Sequence, residues 1–144
     1  GLNIKNSPYG HTIRNWVLDN YKFEDGDWIY YLDDDNIVKE DWYKHINCYL
    51  KYHNVSDAAI MTWGQVYENG EERLGPNSNP EPFKIDTACF MVNWKHVKDI
   101  RWGVASESDG QYAQDCAQGR LIKIHHNLCY YNYISGRKHP LEEI

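Results

Sequence analysis

The stretch WIYYLDDDN, residues 28–36, decides the fold class expected for this chain. Its first half, Trp28 to Leu32, is a short apolar run bounded by polar residues, which predicts a buried strand. Three carboxylates, Asp33, Asp34 and Asp35, follow directly. The strand would therefore deliver them to the carboxyl end of a sheet, the edge at which open α/β sheets bind ligands.

Three adjacent carboxylates repel one another. A Mg²⁺ or Mn²⁺ ion relieves that repulsion and keeps coordination positions for phosphate oxygens. Because side chains alternate in direction along a strand, we expect Asp33 and Asp35 to face one side together and Asp34 to point elsewhere. A solvated acidic turn ending in Asn36 is the alternative interpretation. The position directly after an apolar run favours a metal and phosphate site.

The rest of the chain alternates predicted helices and strands. Apolar residues at helical spacing predict helices over 10–21 and 40–52, and a third is expected over 109–118. Further strands are predicted over 57–63, 84–92, 121–125 and 129–134, with one helical turn over 94–99. Residues 68–82, rich in Gly and Pro, predict a loop that is either a lid or a plain surface excursion. This alternation predicts an α/β fold, a mixed sheet with flanking helices in a single domain over 1–144.

The composition excludes several classes of protein. The chain has 21 Asp and Glu against 15 Lys and Arg, a net charge of -6. Nucleic acid is therefore not an expected partner, because its binders carry a basic face. No stretch approaches the ~20 apolar residues of a membrane span, and the first residues lack a signal-peptide pattern. The cysteines, which lack CxxC spacing, indicate buried free thiols in a reducing compartment, so a cytoplasmic location is expected.

Several motifs together resemble the GT-A fold glycosyltransferases. GHTIRN at residues 10–15, followed by GDWIYYLDDDN at 26–36, is similar to the Arg-Asn helix, strand and DxD acids of the family two enzymes. The YLDDDN form also resembles the eukaryotic glucuronosyltransferases. Downstream, IDTACFMV at 85–92 resembles the acceptor-side strand, and SESDGQ at 106–111 resembles an acidic pair at a helix start. Family members normally begin with a nucleotide-binding half, so 1–144 is expected to be the C-terminal two-thirds of such a fold.

The resemblance implies roles for individual residues. Its donor would be a UDP- or GDP-linked sugar, and its acceptor a carbohydrate or other hydroxyl. Asp35 would bind Mn²⁺ or Mg²⁺ with help from Asp33, and His125 or His126 would complete the metal shell. Arg14, Asp33 and Asp34 would contact the nucleotide. Asp109, or Glu107 as second choice, would deprotonate the acceptor hydroxyl during an inverting transfer, and Trp63 and Trp102 would be platforms for sugar rings.

Other interpretations of the same residues remain. Asp109 could be only a helix N-cap, and the histidines and tryptophans could be ordinary surface or core residues. A haloacid-dehalogenase-type phosphatase also carries an Asp-x-Asp motif after an apolar strand, but its late acidic pair on a strand end is missing. An EF-hand loop starting at Asp33 fails, because Ile37 and Val38 occupy positions that require an oxygen ligand and a glycine. A nucleotide-sugar-binding domain that is catalytically incomplete stays open.

Overall fold

The computed structural model describes residues 11–34, 36–103 and 108–131, apart from the side chain of Ser108. The helices in these ranges are α1 (His11–Asn20), α2 (Trp42–Tyr52), α3 (Trp94–Val97) and α4 (Ser108–Ala117). The strands are β1 (Trp28–Tyr30), β2 (Ile37–Val38), β3 (Ile60–Val66), β4 (Glu72–Leu74), β5 (Phe90–Asn93) and β6 (Leu121–Tyr130). The expected mixed α/β architecture with flanking helices is confirmed.

The strands form one mixed sheet in the order β1-β5-β3-β6-β2, and β4 pairs with the second half of β3. β3 is the central strand, and all seven of its residues are buried. It is antiparallel to β5 and parallel to β6. The hydrophobic core lies around β3, β5 and the inner face of α4, where Trp63, Phe90 and Tyr112 are the largest fully buried side chains among the described residues.

One long strand, β6, covers the strand predicted over 121–125 and the start of the one predicted over 129–134, whose residues 132–134 lie outside the described ranges. Its register against β3 shifts between Thr62 and Gly64 and again between Gly64 and Gln65. The extra residues of β6 bulge out of the ladder, and this breaks the period-two pattern on which strand prediction depends. His125 and His126 lie in the bulged part, and both are exposed.

Strand β1 forms an edge of the sheet, so the prediction of a buried strand is wrong. It ends at Tyr30, and its three side chains are only partly buried. The backbone N–H of Asn36 donates to the carbonyl oxygen of Asp33 at 3.2 Å, which closes a turn. The acidic residues therefore belong to a turn, and strand alternation does not set the directions of Asp33 and Asp34. We call Asp33, Asp34 and Asn36 the acidic turn.

The strand predicted over 84–92 is shorter than expected. Thr87–Cys89 forms a 3-10 helix, and β5 begins only at Phe90. The carbonyl oxygen of Ala88 points into the core, where the Tyr30 hydroxyl donates to it at 2.6 Å and the Trp63 indole at 2.9 Å. A regular strand would turn this carbonyl toward a neighbouring strand, so the two side-chain bonds favour the 3-10 helix instead.

Helix α1 turns its polar face to the protein. His11 and Leu18 are buried, whereas Ile13, Trp16 and Tyr21, three of the apolar residues whose helical spacing predicted this helix, are exposed. The inward face is set by hydrogen bonds to the segment around Trp102, described below. The helical spacing therefore predicted the helix correctly but its inward face wrongly.

The segment 68–82 is not a continuous loop. Glu72–Leu74 forms β4, which pairs with β3 in a hairpin. The turn of this hairpin places Gly70 at a φ of 90°, a conformation that only glycine adopts easily.

Cys89, Cys116 and Cys129 are buried free thiols as expected, but Cys48 is exposed. Within the described ranges, no helix is long and apolar enough to cross a membrane.

Candidate functional site

The acidic turn follows the carboxyl end of β1. β1, β3 and β6 run in the same direction, because β1 and β3 are both antiparallel to β5 and β6 is parallel to β3. β1 forms one edge and β2 the other, and β2 begins beside Tyr130 at the end of β6. The connection from Tyr30 to Ile37 therefore leads from the carboxyl end of β1 at one edge of the sheet to the start of β2 at the other edge, and it carries Asp33 and Asp34 with it.

An ion pair ties α1 to the acidic turn. The Arg14 guanidinium donates to Asp33 Oδ1 at 2.7 Å. The guanidinium also lies over the ring of Trp102, 4.7 Å from its centroid, so it is held on one face by an aromatic ring. The structure thus brings together Arg14 and Asp33, both predicted to contact a nucleotide. We call Arg14, Asn15, Asp33 and Trp102 the ion-pair corner.

Asn15 fixes the backbone of this corner. Its side-chain N–H donates to the Trp102 carbonyl at 2.9 Å, and its carbonyl oxygen accepts from the Trp102 N–H at 2.8 Å. One amide side chain thereby satisfies both backbone groups of Trp102, in the manner of a strand pair. Trp102 is held where its ring supports Arg14.

His11 connects the corner to α4. Its ring is buried and stacks on Trp102 at 5.0 Å. Nδ1 donates to the Gly103 carbonyl at 2.7 Å, because a carbonyl can only accept, and Nε2 lies 3.6 Å from Asp109 Oδ1. His11 was in the quoted motif but was given no role. Its spacing of three and four residues from Arg14 and Asn15, which puts all three on one helix face, was the available signal.

A cleft of about 210 Å³ opens beside Asp109. We call it the Asp86 cleft; it is lined by Arg73, Leu74, Phe83, Ile85, Asp86, Asp109 and Gly110. Asp109 lies in the first turn of α4, one residue inside a helix that begins at Ser108, where the helix dipole favours a negative charge. Gly110 is required by its surroundings, because a Cβ there would fall 2.1 Å from the Glu81 carbonyl oxygen.

A hydrogen-bonded chain forms the polar wall of the cleft. Arg73 donates to Gln65 Oε1 at 2.7 Å, and Gln65 Nε2 donates to Asp86 Oδ2 at 2.9 Å. Gln65 is fully buried, so its amide oxygen and nitrogen depend on these partners for their hydrogen bonds. Burial raises the pKa of Asp86, while the Gln65 hydrogen bond and the Arg73 charge oppose the rise. Sequence analysis assigned no role to Arg73, Gln65 or Asp86. Arg73 meets Gln65 only through the β3–β4 hairpin, and Asp86 meets Gln65 only because the segment before the 3-10 helix packs against β3.

The two predicted sugar platforms are core residues. Trp63 is 1% exposed and Trp102 is 4% exposed, so neither ring offers a face to a ligand, and this prediction is wrong. Trp63 donates its indole N–H to Ala88, and Trp102 supports Arg14 and His11. Phe83, which sequence analysis did not consider, is 80% exposed at the mouth of the cleft.

The predicted metal ligands are only partly brought together. His126 stacks on His45 of α2 at 4.1 Å, and His125 is exposed on the same strand. Within 11–34, 36–103 and 108–131, no three His, Cys, Asp or Glu residues are arranged to hold a metal. Asp35 and Glu107 lie outside the described residues. Asp33 and Asp34 still supply the hard oxygen donors that suit Mg²⁺, which often binds through one or two carboxylates plus substrate phosphates.

No protein-family model matches this chain, and no curated protein is significantly similar to it.

Proposed function

We propose that this chain is the metal-binding and acceptor-side part of a glycosyltransferase that uses a nucleoside diphosphate sugar. The observation that carries the proposal is the acidic turn directly after the carboxyl end of β1, where Asp33 pairs with Arg14, together with a cleft lined by the carboxylates of Asp86 and Asp109. A diphosphate needs cations at the strand ends, and a transfer to a hydroxyl needs a base nearby. These two requirements fall on two neighbouring parts of the molecule.

The donor would lie against the acidic turn. Asp33, Asp34 and Asp35 would hold Mn²⁺ or Mg²⁺, which when bound neutralises the charge on a departing diphosphate. Arg14 would add a fixed positive charge next to the phosphates. Its guanidinium is already oriented by Asp33 and Trp102, so little side-chain freedom would be lost on binding.

The acceptor would lie in the Asp86 cleft, with Asp109 as the base. The acceptor hydroxyl oxygen would bond to the anomeric carbon as the bond from that carbon to the diphosphate oxygen breaks. The hydroxyl proton would pass to the Asp109 carboxylate. Attack from the face opposite the leaving group inverts the anomeric carbon. Glu107 is the second candidate for the base.

A nucleotide-sugar-binding domain without turnover is the second candidate function. It is favoured by the lack of a three-residue metal group within 11–34, 36–103 and 108–131. Transfer or hydrolysis of the sugar, detected as release of free UDP or GDP, separates the two functions.

Metal-dependent nucleotide binding tests the proposal. UDP- and GDP-sugars at about one hundred times their Kd should stabilise the chain by about 2.7 kcal/mol, which raises Tm by about 5–10 °C, but only with Mn²⁺ or Mg²⁺ present. Asp34→Asn and Asp35→Asn should abolish this shift, whereas Asp57→Asn, an exposed control, should not. Asp109→Asn should keep donor binding and lose transfer.

Two results would contradict the proposal. One is the absence of any nucleotide-dependent shift with metal. The other is a shift that Asp35→Asn leaves unchanged. Turnover retained by Asp109→Asn would remove that residue as the base and direct attention to Glu107.

A further inference from the structure

We infer that Phe83 is a stacking platform for the apolar face of a pyranose ring, and that the Asp86 cleft binds a single sugar residue of the acceptor. The inference deepens the proposed function and rests on it only in identifying the bound sugar as the acceptor. Binding of a saccharide in this cleft can be measured without any nucleotide or metal.

The backbone at Phe83 is the first observation. Lys84 N–H donates to the Glu81 carbonyl at 3.0 Å, which closes a four-residue turn with Pro82 and Phe83 at its centre. Phe83 has a φ of 66°. Pro followed by a residue with positive φ is the pattern of a type II turn, whose third position favours glycine or asparagine. A phenylalanine there is held in a costly conformation.

The turn is fixed on both sides, so the position of the ring is set by the fold. Lys84 Nζ pairs with Glu81 Oε2 at 2.9 Å across the turn. On the other side, Gly110 of α4 approaches the Glu81 carbonyl and Pro82 so closely that no side chain would fit. The strained turn therefore projects Phe83 out of the protein surface at the mouth of the cleft, with 80% of its side chain exposed.

The cleft behind the ring has the polar groups that sugar hydroxyls require. Asp86 and Asp109 offer carboxylate oxygens as acceptors, and Arg73 offers N–H donors. Arg73 and Asp86 are both oriented by the buried amide of Gln65. An aromatic face together with convergent donors and acceptors matches a pyranose, which has an apolar C–H face and hydroxyls around its rim. The cleft volume of about 210 Å³ equals that of about seven liquid water molecules, which is room for one sugar unit.

The test is a binding measurement with a panel of methyl hexopyranosides, followed by saturation-transfer NMR on the full chain. Signal should pass from the protein to the C–H protons of one sugar face. Phe83→Asn should weaken binding roughly five- to tenfold, the effect of uncovering about one ring face. Phe83→Tyr, which keeps the ring, should bind like the original chain.

Stability supplies the control for misfolding. Asparagine tolerates positive φ, so Phe83→Asn should melt at the same temperature as the original chain or higher. A variant that is at least as stable but binds less sugar indicates a residue retained for binding. Unchanged sugar binding by Phe83→Asn, or no binding of any methyl hexopyranoside by the original chain, would overturn the inference. Nucleotide binding without saccharide binding would refute the inference alone; Phe83-dependent saccharide binding without nucleotide binding would refute the proposed function alone.

Discussion

The ion-pair corner and the Asp86 cleft hold their carboxylates in opposite ways. Asp33 is partly exposed and pairs directly with the positively charged guanidinium of Arg14 at 2.7 Å. Asp86 is contacted by a neutral amide, and the charge of Arg73 reaches it through Gln65. Burial raises the pKa of Asp86, so its surroundings favour the protonated form. The comparison teaches that the surroundings of a carboxylate decide whether it is held by a direct ion pair or through a buried neutral amide.

The largest effect on stability is expected from disrupting the contact between α4 and the Glu81–Pro82 turn beside the Asp86 cleft. Gly110→Ala would bring a Cβ 2.1 Å from the Glu81 carbonyl oxygen and 2.4 Å from its carbon, and both are backbone atoms. We expect a loss of about 2–4 kcal/mol in the free energy of unfolding, measured by urea denaturation. Gly75→Ala is the matched control, because its Cβ would meet only the flexible end of Glu72 at 3.3 Å. Equal losses of stability for the two substitutions would show that the close contact between α4 and the Glu81–Pro82 turn does not stabilise the protein.

An intermediate effect is expected from breaking the ion-pair corner. Arg14→Met removes a short charge-assisted hydrogen bond and the stacking of the guanidinium on Trp102, and should cost about 1–2 kcal/mol. Lys98→Met removes a pair of the same 2.7 Å length to Asp25. Both partners of that pair are exposed, so its loss should change the melting temperature far less. If the two variants melt together, the corner is no stronger than a surface ion pair.

The smallest expected effect is a pH-dependent change in stability caused by Asp86. Because burial raises the pKa of Asp86, the native state holds its proton at a pH where the unfolded state has released it. Ionised Asp86 therefore costs stability at a pH above the raised pKa, and costs nothing below the ordinary value near 4. Asp86→Asn should gain less than about 1 kcal/mol at neutral pH, and this gain should vanish as the pH falls below about 4. A gain of the same size at both ends of the range would contradict the assignment.

The sequence predicted best the features that depend on residues close together in the chain. The apolar run before three carboxylates predicted an acidic segment at the carboxyl end of the sheet, and the Arg-Asn helix was expected at α1. The inward face of α1 was predicted wrongly, because hydrogen bonds from Asn15 and His11 to Trp102 and Gly103 outweigh its apolar pattern. Those partners are about ninety residues away in the chain, where no local pattern can indicate them.

The sequence by itself determined the alternating α/β plan, the order of most helices and strands, and the acidic segment after β1, because these depend on local periodicity and composition. Only the tertiary structure decided that β1 is an edge strand, that Asp33 and Asp34 lie in a turn, and that Trp63 and Trp102 are buried. It alone brought Arg73, Asp86 and Asp109 to one cleft and left Phe83 exposed at its mouth. The physical reason is that burial and pairing depend on which distant segments meet, and the free energy of those contacts exceeds the local preferences of the chain.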